Sequence, residues 1–417
     1  MNTYAPLRQP GFPLFLASLF ISTIGTQAQL RAIGWQIQRS FEDTALLLGL
    51  VGLAEAIPAV GLALIGGWLA DIVDRKRLML VALVVMLGCS AALWWLTPWA
   101  YTGDRLWLVY AVVAVGGLAR AALIPSRSAI GIDLVPKELI SRAVTLRSFA
   151  WMTAAAIGPM LVGPAIAVAG TRGAFALDIA CMVAAIACAA GMRYRSPPRP
   201  PREPMLAGVR AGISFVRGDR MMLGAMALDL FAVLFGGATA LLPAFADDIL
   251  HTDEIGYGLL CAAQEVGAIV MAVAIAHAPP LRRSGATMLA AVAVFGACMI
   301  GFALSPWLWV SIGLLFVSGL ADTVSVVIRS TIIQVRTPSH LRGRVASVNA
   351  IFVGSSNEIG AFESGVAARY LGLVPSVVVG GAITLAIVGL TALRVPALRR
   401  LDRVDQHIDG DEAGRER

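Results

Sequence analysis

The sequence predicts an all-α membrane protein whose twelve transmembrane helices form two pseudo-symmetric six-helix bundles. Composition is the first observation behind this prediction. Hydrophobic residues make up 58% of the chain and charged residues 14%, and the mean hydropathy is +0.78. A soluble domain of ordinary composition carries far more charge, so lipid is the expected solvent for most of this surface.

The second observation is the length of the apolar stretches. About 20 residues at a rise of about 1.5 Å each cross the hydrocarbon core, and backbone groups in lipid must be satisfied within the helix itself. The predicted crossings are 12–36, 44–68, 78–97, 106–128, 143–168, 174–192, 221–242, 255–277, 287–304, 307–328, 346–370 and 375–394.

The third observation is that positive charges concentrate in alternate loops, which predicts that both termini lie in the cytoplasm. The opposite loops offer only Arg39, Arg105, Arg172 and Arg369. The same distribution explains the net charge of +7 without a nucleic-acid partner, because a basic nucleic-acid interface would gather its charges on one face.

One break in composition divides the chain. The segment 193–220 is rich in arginine and proline, and its core, Ser196–Arg202, reads as a stiff spacer followed by an amphipathic surface helix at Met205–Val216. We therefore predict bundles at 1–192 and 221–395, the linker 193–220 between them, and a charged cytoplasmic tail at 396–417.

A repeat relates the two halves. A shift of 202 residues superimposes Arg127 on Arg329, Gly158 on Gly360 and Gly163 on Gly365, and a second echo pairs Gly49 and Glu55 with Gly258 and Gln264. Parallel repeats of six helices are typical of rocking secondary transporters, with the substrate between the halves.

The strongest local motif runs from Gly67 to Arg77, between the second and third crossings. It resembles the cytoplasmic motif of the major facilitator superfamily, with matches at Gly67, Leu69, Asp71, Arg75 and Lys76. Ile72 and Asp74 depart from the usual Arg and Gly. The resemblance implies a latch in which Asp71 pairs with Arg75; the alternative is an ordinary positively charged membrane anchor.

Further motifs narrow the resemblance to the enterobactin-exporter branch of bacterial drug and siderophore exporters. They are Trp35-Gln36-Ile37-Gln38, Pro125-Ser126-Arg127, Leu134-Val135-Pro136, Leu242-Pro243-Ala244-Phe245-Ala246, Thr337-Pro338 and Leu341-Arg342-Gly343-Arg344. This branch implies a proton-driven efflux carrier of the bacterial inner membrane. The pairs Gly158-Pro159 and Gly163-Pro164 resemble the antiporter motif of helix five, although close helix packing alone also explains them.

Ionisable side chains within the crossings are the candidate site, because burying a charge in hydrocarbon is costly. In the resembling fold the first, fourth, seventh and tenth helices line a central cavity. We expect the substrate to contact Arg31, Arg120, Asp229, Asp322, Gln36 and Phe235. We expect the coupling proton on Glu55, Asp229, Glu265 or Asp322.

Structural roles stay open for the same residues. The repeat aligns Arg120 with Asp322, and these two residues are equally well explained as a permanent ion pair. Gln36 also suits a bond between helices, and Phe235 suits packing in the core or against lipid. Arg127 and Arg329 are expected at helix ends, where they hold a gate, and Asp178 is expected near the periplasmic edge, in contact with water.

The sequence predicts an exporter of a small organic molecule, a siderophore or an amphipathic drug, that works by proton antiport and alternating access as a monomer. The alternatives are an importer or facilitator on the same fold, or a receptor or scaffold that does not transport. No phosphate loop or hydrolase motif occurs, so neither an enzyme nor an ATP-driven pump is indicated. We expect no cofactor and no metal.

Overall fold

The structure is a computed structural model that describes residues 4–196, 205–236, 238–278, 283–338 and 341–402. At 59–72, at 205–211 and at eight single positions (220, 236, 342, 343, 347, 350, 351 and 355), only the backbone is described. The predicted spacer core from Pro197 onward and most of the predicted tail lie outside these residues.

The described residues form long helices and short helical turns, without a strand. We number the long helices α1 to α12: Phe12–Ser40, Ala45–Ile72, Arg75–Leu96, Leu106–Asp133, Ile140–Gly191, Met205–Gly218, Arg220–Gly236, Glu254–His277, Ser284–Leu304, Leu308–Arg336, Arg342–Leu371 and Leu373–Arg394. Helix α6 covers the amphipathic segment, and short turns at 238–249 connect α7 to α8.

Helix α5 contains the fifth and sixth predicted crossings, joined without a loop. Ala169 and Gly170 leave helical geometry between them, and Gly170 has a φ of +63°. A side chain is disfavoured at this backbone angle, so a glycine is suited to the bend. The 52-residue element therefore reverses between two membrane-length segments.

Eight of the described helices are long and apolar enough to cross a membrane. The protein is thus an all-α, multi-pass membrane protein, and the total of twelve crossings stays a prediction. Several helices extend beyond their predicted ends, among them α4, which continues to Asp133, and α10, which continues to Arg336. These added turns lie beyond the apolar stretch from which the ends were estimated.

The chain divides into two compact units. Unit 1 comprises Met1–Pro201 with Thr239–Glu265, and unit 2 comprises Arg202–Ala238 with Val266–Arg417. The segment 239–265, placed in the second bundle by the sequence, thus belongs with the first half of the chain by its contacts. The boundaries of the two predicted bundles stay predictions.

Glycines related by the repeat occupy the same place in each unit. A Cβ atom at Gly158 of α5 would lie 2.7 Å from the carbonyl oxygen of Ile24 in α1. In unit 2, a Cβ atom at Gly360 of α11 would lie 3.0 Å from the carbonyl oxygen of Val233 in α7. Small residues let helix backbones approach closely, so Gly158 fixes the contact of α5 with α1 and Gly360 fixes the contact of α11 with α7.

Candidate functional site

An ion pair joins α2 to α4 inside unit 1. Oε1 of Glu55 lies 2.6 Å from a guanidinium nitrogen of Arg120, and both side chains are about 15% exposed. The helices approach closely one turn earlier, where a Cβ atom at Gly117 would lie 2.6 Å from the carbonyl oxygen of Glu55. Arg120 therefore has a partner within its own unit that the sequence analysis did not predict.

Arg31 of α1 lies near this pair. Its buried Nε has no hydrogen-bond partner among the described residues, and the charges of Glu265 and Glu55 act on it. Its backbone carbonyl accepts a hydrogen bond of 2.9 Å from the hydroxyl of Tyr257, whose ring stacks on Trp35 at 4.8 Å. A guanidinium with donor capacity to spare is suited to polar or anionic groups.

Gln36 and Gln29 hydrogen-bond to other residues of the helical interior. Gln36 accepts a hydrogen bond from Thr171 of α5 and donates one of 3.1 Å to Ser40. Gln29 donates to Ser90 of α3. The structure therefore supports the structural alternative for Gln36, which joins α1 to α5.

Arg127 lies inside α4 and donates a hydrogen bond of 2.5 Å to the hydroxyl of Ser22 in α1. Its Nε is buried without a hydrogen-bond partner among the described residues. The prediction that Arg127 stands at a helix end is wrong, because α4 continues for six residues beyond it to Asp133.

Arg329, the repeat counterpart of Arg127, lies inside α10 and forms an ion pair with Asp229 of α7. Both side chains are about 95% buried. The predicted helix-end position is wrong here as well, because α10 ends at Arg336. Asp229 was predicted to carry a proton or to touch substrate, and the structure shows its carboxylate held by a buried arginine.

The other predicted site residues of unit 2 lie on α7 and α10. Phe235 stacks on Phe231 along α7, with ring centroids 6.2 Å apart. Asp322 is half-buried on α10. Their predicted roles stay predictions.

The second half of the Gly67–Arg77 motif forms a network at the end of unit 1 that carries the basic loops. Arg75 pairs with Asp133 of α4 at 2.5 Å, and the hydroxyl of Tyr194 donates to the same carboxylate. Burial and this hydrogen bond to Asp133 raise the pKa of Tyr194. Gly67 and Asp71 lie outside the residues whose side chains are described, so the Asp71–Arg75 pair stays a prediction.

Two neighbouring residues explain the local structure of the motif. Asp74, which departs from the family pattern, caps α3 by accepting a hydrogen bond of 2.9 Å from the N–H of Arg77. Lys76 donates to the carbonyls of Ala190 and Met192 at the end of α5. A lysine at this place satisfies carbonyls that the helix leaves without partners.

Unit 2 has a corresponding pair in Asp219 and Arg336, separated by 2.5 Å. Partial burial opposes the ionisation of Asp219, but the hydrogen bond from Arg336, together with the N–H groups of Met222 and Met221, outweighs it. The pKa of Asp219 therefore lies below its ordinary value. The sequence analysis missed this acid; its position two residues before Met221, at the start of α7, is a capping signal that indicates it.

Polar contacts also close the opposite end of unit 1, where the segment 239–265 meets α1. Gln38 donates to Asp248 at 3.1 Å. Arg39 lies 3.6 Å from Asp247 and 3.9 Å from Glu254. These partly exposed ion pairs are weak individually.

The pairs Gly158-Pro159 and Gly163-Pro164 of α5 pack closely against neighbouring helices, as the alternative interpretation of this motif predicts. A Cβ atom at Gly163 would lie 2.5 Å from the carbonyl oxygen of Glu254. A Cβ atom at Gly258 would lie 2.9 Å from the carbonyl oxygen of Pro159. Together with Gly158 against α1, these residues let α5 contact both α1 and the first turns of α8. An antiporter role for the motif stays a prediction.

Comparison with known proteins places this arrangement in a family. The profile of the transmembrane secretion effector family matches residues 1–411. The multidrug efflux pump Tap of Mycobacterium tuberculosis is 29% identical, over 96% of each chain. The enterobactin exporter EntS of Shigella boydii is 25% identical, over 97% of this chain and 96% of its own.

Solved structures show the same fold. A POT family transporter in complex with 5-aminolevulinic acid gives a TM-score of 0.73 at 12% identity, over 93% of this chain and 97% of its own. The human organic anion transporter MFSD10 gives 0.62 at 15% identity, over 91% and 98%. These are membrane transporters and not enzymes, and the chain belongs to the transmembrane secretion effector family of the major facilitator superfamily.

Proposed function

We propose that the protein is a secondary active exporter that moves a small organic molecule out of the cytoplasm in exchange for protons. The observation that carries the proposal is the Glu55–Arg120 pair beside Arg31, a set of charges inside apolar helices. Retaining such charges in hydrocarbon is costly, and a scaffold gains nothing from them. The named activities of Tap and EntS support export as the direction.

The pair suggests how a proton and a substrate compete for one site. While Glu55 is ionised, it holds the guanidinium of Arg120 at 2.6 Å. A donor group of the substrate can bind the carboxylate of Glu55 only in this ionised state, while Arg31 offers a donor to polar or anionic groups of the substrate. A proton on Glu55 removes the acceptor and favours release of the substrate, and loss of that proton restores the binding site, so proton and substrate bind in turn, as antiport requires.

We assign different roles to the other candidate carboxylates. Glu265 acts on Arg31 electrostatically and is the second candidate carrier. Asp229 forms an ion pair with Arg329, so we assign that pair a structural role. Asp322 on α10 remains a candidate for proton transfer.

Alternating access supplies the conformational change. We propose twelve transmembrane helices in two six-helix bundles, with both termini and the basic loops in the cytoplasm and a monomer as the working unit. In unit 1, the contacts of Gln38 and Arg39 with the segment 239–265 would then act as an outer gate. Their weakness suits a gate that opens in every cycle.

The test is uptake into inside-out vesicles under an imposed pH gradient, screened with siderophores and amphipathic drugs. We expect Glu55→Gln to abolish proton-driven uptake, because the amide cannot bind and release the coupling proton. Asp104→Asn, at an exposed loop position, is the matched control. Full coupling in the amide variants of Glu55, Glu265, Asp229 and Asp322 would refute proton antiport through these acids.

An importer on the same fold is the second candidate. It predicts uptake into right-side-out vesicles driven by an inward proton gradient. Comparing uptake into right-side-out and inside-out vesicles therefore separates import from export.

A further inference from the structure

Asp178 of α5 lies outside the cluster of charges used above. It was predicted to lie near water at the membrane edge, which is wrong: the residue is 0% exposed and is enclosed by α1 and α3. The hydroxyl of Ser90 lies 2.5 Å from its Oδ2, and Nε2 of Gln29 donates to that hydroxyl at 3.2 Å. Oδ1 has no hydrogen-bond partner among the described residues.

The hydrogens in this chain of contacts must balance. The Ser90 hydroxyl has one hydrogen but two acceptors in reach, Oδ2 of Asp178 and the carbonyl of Met86 at 2.9 Å. If Asp178 carries a proton on Oδ2, it donates to Ser90, and Ser90 donates to Met86. Nε2 of Gln29 then donates to the second lone pair of the Ser90 hydroxyl oxygen, so that each of these contacts contains one hydrogen.

An ionised Asp178 fits the same packing poorly. Ser90 would have to turn its hydrogen from Met86 to Oδ2, and Oδ1 would keep negative charge without a donor. Oδ1 lies against the α1 backbone so closely that a methyl group at Gly25 would overlap it, and the same methyl would lie 2.8 Å from Cβ of Cys181. Burying an ionised carboxylate without donors is costly.

No counter-charge compensates for this among the described residues. Arg120 of α4 acts on Asp178 only through space and is itself paired with Glu55. The other titratable neighbours are the thiols of Cys89 on α3 and Cys181 on α5, while α1 presents the neutral groups of Gln29 and Gly25.

We propose that Asp178, Ser90 and Gln29 form a proton-binding site in unit 1, separate from the Glu55–Arg120 pair. Asp178 holds its proton while α1 packs against α5 at Gly25. It releases the proton to water when these helices separate, because only then is the carboxylate hydrated. The site thus makes the spacing of α1 and α5 responsive to protons, and it requires neither a particular substrate nor a direction of transport.

Infrared difference spectroscopy of the purified protein in lipid vesicles tests the proposal. At pH 7, where an exposed aspartate is ionised, we expect wild type minus Asp178→Asn to show the C=O band of one protonated carboxyl group per chain. Asp104→Asn should leave this band unchanged. Absence of the band, or a band of equal size in Asp178→Asn, would overturn the proposal.

Two further variants keep the test decisive if Asp178→Asn does not fold. Ser90→Ala removes the acceptor and should shift the frequency of the carboxyl band. Gly25→Ala forces α1 from α5 and should reduce the band at pH 7, whereas Gly88→Ala of α3, which has open space beside it, should leave it intact. A band unaffected by both Ser90→Ala and Gly25→Ala would contradict the assignment to Asp178.

Discussion

The two units hold the same arginine in different ways. In unit 1, Arg127 of α4 donates to a serine hydroxyl on α1; in unit 2, its counterpart Arg329 of α10 pairs with the carboxylate of Asp229 on α7. The arginine and the helix that it contacts correspond in the two units, but its partner is Ser22 in unit 1 and Asp229 in unit 2.

This difference separates a neutral contact from a buried ion pair. A hydrogen bond between a hydroxyl and a guanidinium leaves the positive charge in place, whereas a carboxylate neutralises it. We infer that the link between α7 and α10 is the more rigid of the two. The link between α1 and α4 adjusts more readily, and α1 is also the helix that carries Arg31 and borders Asp178.

Breaking the ion pair of unit 2 should give the largest effect. Asp229→Asn leaves Arg329 charged and buried, and we expect a loss of about 3–5 kcal/mol in the free energy of unfolding, measured in detergent with denaturant. The double variant Asp229→Leu/Arg329→Leu should recover most of this loss. Ser22→Ala in unit 1 should cost less, about 1.5–3 kcal/mol for a hydrogen bond to a charged group, and equal losses in the two units would contradict the comparison.

Converting one unit to the pattern of the other sharpens the comparison. Ser22→Asp places a carboxylate opposite Arg127, whose charge is already buried, so only the new acid must be desolvated. A double-mutant cycle with Arg127→Met should then give a coupling above that of the native serine, near the upper end of the range of about 0.5–3 kcal/mol for residues in contact. We expect transport to slow, because the adjustable link becomes a fixed one; unchanged coupling would show that α1 and α4 do not approach as in α7 and α10.

The sequence predicted the helices well because hydrocarbon thickness dictates their length, and it predicted the repeat that relates Gly158 to Gly360. It failed where burial depends on neighbours. Asp178 lies only a few residues into its crossing, so depth alone suggested water, while packing of α1 and α3 excludes water. The pairing of Glu55 with Arg120 could have been predicted from the sequence. Counting from the starts of α2 and α4 places the two residues at membrane depths within about 6 Å of each other.

The paired glycines offer a test of smaller expected effect. An alanine methyl at Gly158 would lie 2.7 Å from a backbone carbonyl of α1, and one at Gly360 would lie 3.0 Å from a backbone carbonyl of α7. We expect Gly158→Ala to lower the free energy of unfolding by about 1–3 kcal/mol and Gly360→Ala to lower it by less. To make room for the methyl group, α1 must move further than α7. Thermal unfolding of both variants gives the comparison, with Gly88→Ala, which meets open space, as the control.

The pairs at the basic ends of the units give the smallest effect and a dependence on pH. Arg336 and the N–H groups of Met221 and Met222 hold the pKa of Asp219 below its ordinary value. The pair therefore contributes stability above the pKa of the unfolded state, about 3.9, and this contribution is lost as the pH falls through the folded-state pKa. Asp219→Asn should lower stability at pH 7 by about 1 kcal/mol or less, because Arg336 is partly exposed. The difference from wild type should begin to shrink below about pH 4, where Asp219 becomes protonated in the unfolded chain, and should be lost below the lower pKa of the folded state. A difference that is constant from pH 3 to pH 7 would show that Asp219 acts through packing and not through its charge, and the link of α7 to α10 at this end would then resemble the neutral contact of unit 1.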